Sequence, residues 1–394
     1  MLRRSTPFRF VFIFGIVSLF ADMTYEGGRS IAGPFLAQLG ASGLVVGFIA
    51  GFGELLGYGL RVLSGTAADR TRRYWPIAFI GYAVNLLCVP ALAIARTWPA
   101  AGALLIGERV GRGIRKPSVS AMLSHAGSQI GQGWVFGFHE AMDQVGATVG
   151  PLVVAAILAL NGGFSMAFGA LAIPAVLSLV ALGVARFEYP LPGSLEKHAA
   201  PSTRGFGSEY WLYVAAGTCV AAGFADFALV SFHFSKAHVI ANHVIPILYA
   251  AAMLVGVVAS PLFGRLYDRF PLATLLGAFA ASALFAPLCF LGGTALAIAG
   301  VLFWGLGMAA QETLLPSMIA RLTPPDRRAT ALGAFDGFYG VAWFVGSAAM
   351  GALYDRSLLA VVIFSLALQI AALPLFLVAS RMQRAQKGGE PPLA

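Results

Sequence analysis

The chain has 394 residues, of which 58% are hydrophobic and only 11% are charged, and its mean hydropathy is +0.80. Soluble domains contain about 25% charged residues, so this composition excludes a soluble protein and indicates an all-α membrane protein. No basic, aromatic-rich polar segment accompanies the net charge of +9, and no nucleic-acid partner is expected.

Hydrophobic runs that are long enough to cross a bilayer, which takes roughly 20 residues, recur twelve times. The predicted spans are 8–37, 42–68, 74–96, 99–124, 131–160, 163–186, 209–237, 242–267, 271–291, 294–320, 328–354 and 358–380. A break at 187–208, rich in Pro, Gly, Ser and charge, divides them six and six. The sequence therefore predicts an N-terminal half at 1–186, a cytoplasmic linker, a C-terminal half at 209–382 and a cytoplasmic tail at 383–394.

Matching segments in the two halves indicate an internal duplication. A G-x-x-x-D-R hexad follows the second and the eighth span, and the two copies lie 199 positions apart (264 minus 65). The tripeptide Phe-Ala-Asp interrupts the apolar run near the start of each half, at 20–22 and again at 224–226. A third pair matches at an offset of 196: Gly137, Glu140 and Gly150 with Gly333, Asp336 and Gly346. Such repeats are typical of transporters and place the substrate path between pseudo-symmetric halves.

Basic residues predict the orientation. With an even number of spans both termini share one side, and most basic residues, including Arg115 and Lys116, are assigned to that side. The other side has only Arg96, Lys236 and Arg356. This bias predicts a multi-pass protein of the bacterial inner membrane with both termini in the cytoplasm. The three cysteines are far apart and suggest neither a disulfide nor a metal site.

Ionisable residues inside the spans are the candidates for proton coupling and substrate binding. Each costs at least about 2.5 kcal/mol near the bilayer centre unless it is paired or faces water. The candidates are Asp22, Glu26, Arg29, Arg109, Arg112, His139, Glu140, Asp143, Asp226 and Asp336. Most lie in the N-terminal half, where coupling is therefore expected. Arg61 and Glu108, near the ends of predicted spans, are interpreted as structural, and Glu54, His233 and Glu312 receive no assigned role.

Helical spacing groups these candidates. Asp22, Glu26 and Arg29 follow an i, i+4, i+7 pattern and form one stripe. Glu140 and Asp143 share a second face, and Arg109 and Arg112 share a third. We expect the three stripes to converge on one cavity near the midplane. A carboxylate whose burial or arginine partner changes as the halves rock would bind and release a proton. The alternative is that these charges are fixed ion pairs between helices.

Aromatic residues beside polar breaks are candidates for a cavity wall that stacks organic solutes. They are Tyr25, Tyr339 and Trp343. Most of the 30 Phe residues are expected to face lipid or to pack the bundle.

Twelve spans arranged as six plus six, with the two hexads, resemble the major facilitator superfamily over nearly the whole chain. Arg109 to Gly113 is similar to the family's Arg-x-x-x-Gly element, with Arg112 where a Gln is often found. The segment 146–151 is similar to the G-x-x-x-G-P element of exporters, and Arg72 stands where the first hexad loop commonly has a Gly. The stretches ERVGRGIRKP at 108–117 and FGFHEAMD at 136–143 further resemble a poorly characterised bacterial branch, in which Glu140 falls where a basic residue is common.

The resemblance implies roles for the hexads and for the fifth span. An aspartate at the membrane surface can meet the positive N-terminus of a neighbouring helix and hold one conformation closed. The predicted latch consists of Gly65, Asp69, Arg70, Gly264, Asp268 and Arg269. Gly146, Gly150 and Pro151 are predicted to be either a hinge or ordinary close packing.

Together these features predict a monomeric, proton-coupled secondary transporter that exports a small organic molecule by alternating access. Its expected partners are the solute, protons and the lipid bilayer, with no cofactor, no metal and no enzyme activity. One alternative is export of a transition metal or metal complex, suggested by His233, His238 and His243, although their spacing favours ordinary polar residues around the outer mouth. Another is an intramembrane metallohydrolase, because HEAMD at 139–143 nearly matches H-E-x-x-H.

Overall fold

The computed structural model describes residues 6–189, 206–323 and 328–388. Within these ranges the chain forms α-helices and one 3₁₀ turn, Leu92–Ile94, and no β-strand. Some side chains within these ranges also lie outside the description, at 6–7, 69, 127–130, 132–133, 328–329 and 384–388. Most of the predicted linker, 187–208, and the end of the predicted tail fall outside the described residues, so their boundaries stay predictions.

Seven α-helices lie in the described residues of the N-terminal half. They are α1 (Thr6–Gln38), α2 (Gly43–Thr71), α3 (Tyr74–Ala91), α4 (Trp98–Ile130), α5 (Gln132–Ala159), α6 (Gly163–Ala170) and α7 (Ala172–Glu188). The described residues of the C-terminal half form eight. They are α8 (Ser208–Gly223), α9 (Phe227–Lys236), α10 (Ile245–Arg269), α11 (Pro271–Ala283), α12 (Phe285–Leu291), α13 (Thr294–Leu322), α14 (Arg328–Tyr354) and α15 (Leu358–Gly388).

Ten segments of the described chain are long and apolar enough to cross a membrane, counting α6 with α7, α8 with α9 and α11 with α12 as single crossings. Two further helices, α4 and α14, have similar lengths but are more polar or richer in small residues. The architecture is therefore an all-α membrane fold, and its helices are consistent with twelve crossings in two halves.

The Phe-Ala-Asp tripeptide behaves differently in its two copies. In the second copy α8 ends at Gly223 and α9 begins at Phe227, and Asp226 caps α9 because its Oδ1 accepts a hydrogen bond from Ala228 N at 2.9 Å. In the first copy the helix α1 continues without interruption. Here the Asp22 carboxylate pairs with Arg115 on α4 and caps no helix, in agreement with the continuous predicted span 8–37.

The duplicated glycines pack alike in the two halves. Gly150 on α5 contacts the backbone oxygen of Met23 on α1, and Gly346 on α14 contacts the backbone oxygen of Ala222 on α8. A Cβ at either position would collide with that backbone, so these contacts require a residue without a side chain. The helix α5 continues through Pro151, and so this proline does not divide it.

The halves meet where α2 and α14 run antiparallel. Gly43 and Gly47 on α2 pack on the backbone of Gly351 and Ser347, and Asp355 accepts hydrogen bonds from the first two amides of α2, each at 2.8 Å. Nearby, Gly33 on α1 packs on the backbone of α9. We call these contacts the distal seal, because they lie at the end of the bundle opposite to the start of α1 and the end of α15. That latter end is the terminal end.

Towards the terminal end α2 and α14 stay in contact through aromatic rings. Tyr58 and Tyr339 meet with centroids 5.6 Å apart. A Cβ on Gly59 or Gly337, next towards the terminal end, would meet nothing within 4 Å in the described part of the protein. The glycine-mediated backbone contacts between these helices are thus found at the distal end, and there is open space beside these two glycines.

Candidate functional site

Buried charges from four helices meet where the halves touch, and Arg29 of α1 is at their centre. Its Nη2 lies 3.3 Å from Glu54 Oε1 on α2 and 3.4 Å from Asp226 Oδ2 at the start of α9. Its Nη1 lies 3.8 Å from Glu26 Oε1. Because Asp226 belongs to the C-terminal half, this guanidinium joins the two halves.

Arg109 of α4 extends the cluster. Its Nη1 lies 2.6 Å from Glu54 Oε1, and its Nε lies 3.3 Å from Glu108 Oε2. Glu108 is also held by Asn85 of α3, whose Nδ2 donates to Glu108 Oε1 at 2.8 Å. We call this cluster the central network: Glu26, Arg29, Glu54, Glu108, Arg109 and Asp226.

A cavity of about 40 Å³ borders the network on its distal side. Arg29, Glu108, Arg109 and Asp226 line one end of it, and apolar residues such as Leu36 and Val46 line the other. A water molecule needs about 10–15 Å³ and several polar partners, so the polar end of this cavity can hold water beside the network.

A second pair lies next to the network. Arg115 Nη2 is 3.9 Å from Asp22 Oδ1, and its guanidinium stacks on Tyr82 at 4.5 Å and Tyr25 at 5.6 Å. Arg112 stacks on the same Tyr25 ring at 5.0 Å. The prediction that Arg115 lies at the cytoplasmic surface is wrong, because this side chain is buried among aromatic rings and a carboxylate inside the bundle.

His139 and Asp143 form a separate chain of hydrogen bonds with α1. His139 Nδ1 lies 3.1 Å from Asp143 Oδ2, and its Nε2 lies 2.8 Å from Ser18 Oγ. Glu140 is exposed and accepts a hydrogen bond from Gln144 at 2.8 Å. The structure therefore does not bring Glu140 and Asp143 together, although the spacing predicted a shared face.

The histidines do not assemble a metal centre in the described part of the chain, which contains no group of three or more His, Cys, Asp or Glu side chains placed to hold an ion. Both ring nitrogens of His139 already have partners within hydrogen-bonding distance. His233 is buried and lies 3.1 Å from the Tyr354 hydroxyl, whereas His238 and His243 are exposed. The expectation that all three sit around an outer mouth is wrong for His233.

The predicted aromatic residues occupy two places. Tyr25 lies in the N-terminal half against Arg112 and Arg115. Tyr339 contacts Tyr58 across the halves and donates a hydrogen bond to Gln311 Oε1 at 2.7 Å. Trp343 packs on Tyr339 with centroids 5.7 Å apart.

Several members of the site had no predicted role. Tyr249 of α10 donates a hydrogen bond to Glu26 Oε2 across the halves. The signal for Glu54 was present, because it is the one carboxylate in the predicted span 42–68. Glu108 and Arg61 are not near helix ends: α4 begins ten residues before Glu108, and α2 continues ten residues beyond Arg61.

The hexads lie at the terminal end. Gly65 packs on Pro117 of α4, with 3.4 Å from a built Cβ to the proline Cβ, and Arg70 is exposed. The Asp69 side chain is outside the described part. Asp268 is exposed, as is Arg269, whose guanidinium lies 5.6 Å from the Phe270 ring centroid. Arg72, the residue found where a Gly is common, has a left-handed backbone with φ of 55° as the C-cap of α2.

Comparisons with known proteins agree with this architecture. The Major Facilitator Superfamily model matches residues 11–347 and 214–393. An uncharacterised protein of Mycobacterium tuberculosis is 40% identical over 376 residues, which cover 93% of this chain and 92% of that protein. An uncharacterised MFS-type transporter of Methanocaldococcus jannaschii is 28% identical over 186 residues, which cover 47% of this chain and 46% of that protein.

Two solved structures share the fold. A variant of the nucleoside transporter NupG superposes with a TM-score of 0.77 at 14% identity, covering 93% of this chain and 100% of that one. A variant of the peptide transporter POT superposes with a TM-score of 0.73 at 16% identity, covering 95% and 94%. The family match spans both halves and the spatial likeness covers nearly all of the chain, so the protein belongs to the major facilitator superfamily of membrane transporters.

Proposed function

We propose that the protein is a secondary active transporter that exports a small organic solute across the bacterial inner membrane in exchange for protons. Family membership supports transport by alternating access. Proton coupling is supported by the numbers of carboxylates and guanidinium groups in the central network.

The central network contains four carboxylates, Glu26, Glu54, Glu108 and Asp226, but only two guanidinium groups, Arg29 and Arg109. Arg112, which stacks on Tyr25 beside them, reduces the excess to one carboxylate (four minus three). An unpaired buried carboxylate is costly and favours binding a proton. A network of this composition approaches neutrality when a proton is bound.

Movement of the halves would change the surroundings of Glu26. In the conformation described here Glu26 accepts the Tyr249 hydrogen bond, and its Oε1 lies 3.8 Å from Arg29 Nη1. Opening the distal seal would carry Tyr249 away with the C-terminal half. Glu26 would then lose a donor and take up a proton from the distal side, where the small cavity beside the network can hold water.

The direction follows from the orientation. The basic residues favour a cytoplasmic terminal end, so that end would receive a solute from the cytoplasm. Glu26 would release its proton there as Tyr249 returns. An inward proton would therefore accompany an outward solute, and the exporter-like segment Gly146 to Pro151 supports this direction.

Reconstituted proteoliposomes test the proposal. The protein, inserted with a known orientation, is given an imposed pH gradient and a panel of organic cations, anions, zwitterions and neutral solutes, while internal pH is followed with a trapped dye. We expect at least one solute to move only with the gradient and to drive proton movement when its own gradient is imposed. Solute flux that does not depend on the pH gradient and is not accompanied by proton movement would refute proton coupling.

A further inference from the structure

Four charged side chains lie between the aromatic contact of Tyr58 with Tyr339 and the terminal end, with opposite signs on the two halves; the region that they border is called the terminal cavity. Arg61 of α2 and Lys116 of α4 belong to the N-terminal half, and Glu312 of α13 and Asp336 of α14 belong to the C-terminal half. None of the four belongs to the central network. Their arrangement indicates what the cavity binds.

Arg61 and Asp336 flank the aromatic contact between the halves. Tyr58 and Tyr339 meet across the boundary, and the Arg61 guanidinium lies 4.4 Å from the Tyr58 ring centroid. Arg61 follows Tyr58 by three residues and Asp336 precedes Tyr339 by three, in helices that run in opposite directions. Both charges therefore lie about one turn, roughly 4.5 Å, further towards the terminal end.

Lys116 and Glu312 lie at a similar level. Ser64 Oγ donates to Gly113 O at 3.1 Å, and Gly65 packs on Pro117, so Lys116 is fixed about one turn from Arg61. Glu312 follows Gln311, the residue that accepts the Tyr339 hydrogen bond.

No direct ion pair joins these cations to these anions. Lys116 and Glu312 are exposed, and Arg61 and Asp336 are half-buried. No salt bridge connects the two cations with the two anions among the residues described. Arg61 Nε is buried and has no hydrogen-bond partner in the described part. The cations of one half and the anions of the other thus remain available to a ligand.

We propose that the transported solute, in the function proposed above, is a zwitterion with a carboxylate and an ammonium group. Its carboxylate binds Arg61 and Lys116, because a guanidinium fork suits a carboxylate. Its ammonium group binds Glu312 and Asp336, and its apolar part rests on Tyr58 and Tyr339. A bound zwitterion neutralises both pairs of charges, which lowers the cost of burying them when the terminal end closes.

The competing explanation is a gate without a ligand. When the terminal end closes, Arg61 could pair directly with Asp336, and Lys116 with Glu312. A gate of this kind would need no solute and would show no preference for zwitterions.

Equilibrium binding to detergent-solubilised full-length protein separates these explanations without requiring any gradient. The probes are the protein amino acids and a set of dipeptides, each compared with its N-acetyl and carboxamide derivatives, by thermal shift and then calorimetry. We expect a subset of zwitterions to bind and both derivatives of each to lose at least about tenfold in affinity, as charge-assisted contacts require. Absence of zwitterion binding, or equal binding of the blocked derivatives, would overturn the proposal.

Variants locate the binding. Lys116→Gln and Glu312→Gln should each weaken binding of the best zwitterion at least about tenfold, while Glu188→Gln, which removes a solvent-exposed pair with Arg9, should leave it unchanged. Wild-type affinity in both cavity variants would overturn the proposal and leave these charges to a gate. The proposed function is judged separately, since pH-driven flux of a solute that is not zwitterionic would keep that function and reject this substrate class.

Discussion

The Tyr249 hydroxyl donates a hydrogen bond to Glu26 across the boundary between the two halves. The contact can exist only while α10 lies against α1. Whether the buried Glu26 carboxylate has this hydrogen-bond donor therefore depends on the relative position of the two halves. Together with the contact between Arg29 and Asp226, it connects the position of the halves to the charge state of the central network.

Tyr249→Phe should lower proton-coupled flux by about tenfold, because a hydrogen bond to a charged group contributes about 1.5–3 kcal/mol. The ring and its packing on Phe227 are retained, so the fold should persist. Flux along a pH gradient in proteoliposomes measures the effect. Tyr354→Phe, which alters a hydroxyl near His233 outside the network, is the control. Equal flux in the two variants would contradict a coupling role for Tyr249.

Glu26→Gln and Asp22→Asn should abolish flux driven by a pH gradient while the protein remains folded, because a neutral isostere keeps the size of the side chain but cannot gain and lose a proton. Exchange of solute in the absence of a gradient should survive better in both. Glu188→Gln at the surface is the control. If Glu26→Gln and Asp22→Asn both stay fully proton-coupled, the two carboxylates are structural.

Arg109→Lys should impair coupling even though the charge is kept. The guanidinium of Arg109 reaches Glu54 through Nη1 and Glu108 through Nε, and an ammonium group cannot reproduce this fork. Arg112→Gln should be milder, because Arg112 stacks on Tyr25 and forms no ion pair in the described part of the protein. The comparison of pH-driven flux decides the matter: equal, near-normal rates would mean that both arginines only support the structure.

Two substitutions at Asp226 separate its capping role from its charge. Asp226→Asn should retain the cap of α9, since Asn is a good N-cap, but it should weaken the contact with Arg29. Asp226→Ala should lose both and reduce stability by about 1 kcal/mol more. Thermal unfolding in detergent measures stability, and pH-driven flux measures coupling. Identical unfolding of the two variants would argue against the capping role.

Gly47→Val should open the distal seal. A Cβ at Gly47 would collide with the Ser347 backbone oxygen, and such overpacking costs about 1–3 kcal/mol. The equilibrium should shift towards a conformation that is open at the distal end, seen as longer spin-label distances between the distal ends of α2 and α14. Gly277→Val is the matched control, because a Cβ there meets nothing within 4 Å in the described part. Unchanged distances for Gly47→Val would refute the seal.

The sequence predicted the fold because both of its signals are local. Apolar runs indicate membrane crossings, and the repeated hexads indicate a duplication. Both can be recognised in the sequence without knowing which residues contact each other in the fold. The crossings at α8 and α9 show the limit. The same three letters interrupt the helix at Asp226, where the carboxylate caps α9, but continue a helix at Asp22, where the carboxylate pairs with Arg115 on another helix.

The candidate site was predictable only in part for the same reason. The free-energy cost of burying a charge identified Glu26, Arg29, Arg109 and Asp226 as candidates. In the structure these four residues lie in one network. Tyr249 was missed because it lies in an apolar run without a charge nearby in sequence. Arg115 was misplaced because distance along a helix does not reveal that Asp22 and Tyr82 approach it from elsewhere.

At Gly33, Gly43 and Gly47 the distal seal brings the backbones of neighbouring helices into direct contact. These contacts determine which positions can be substituted during evolution. New solute preferences can arise through side chains of the terminal cavity without disturbing the closure, while the glycine positions admit no larger residue. It also bears on inhibition. With the terminal end in the cytoplasm, as proposed above, a compound arriving from outside the cell would meet the distal seal between α2 and α14 in this conformation, and an inhibitor of it would have to act from the cytoplasm.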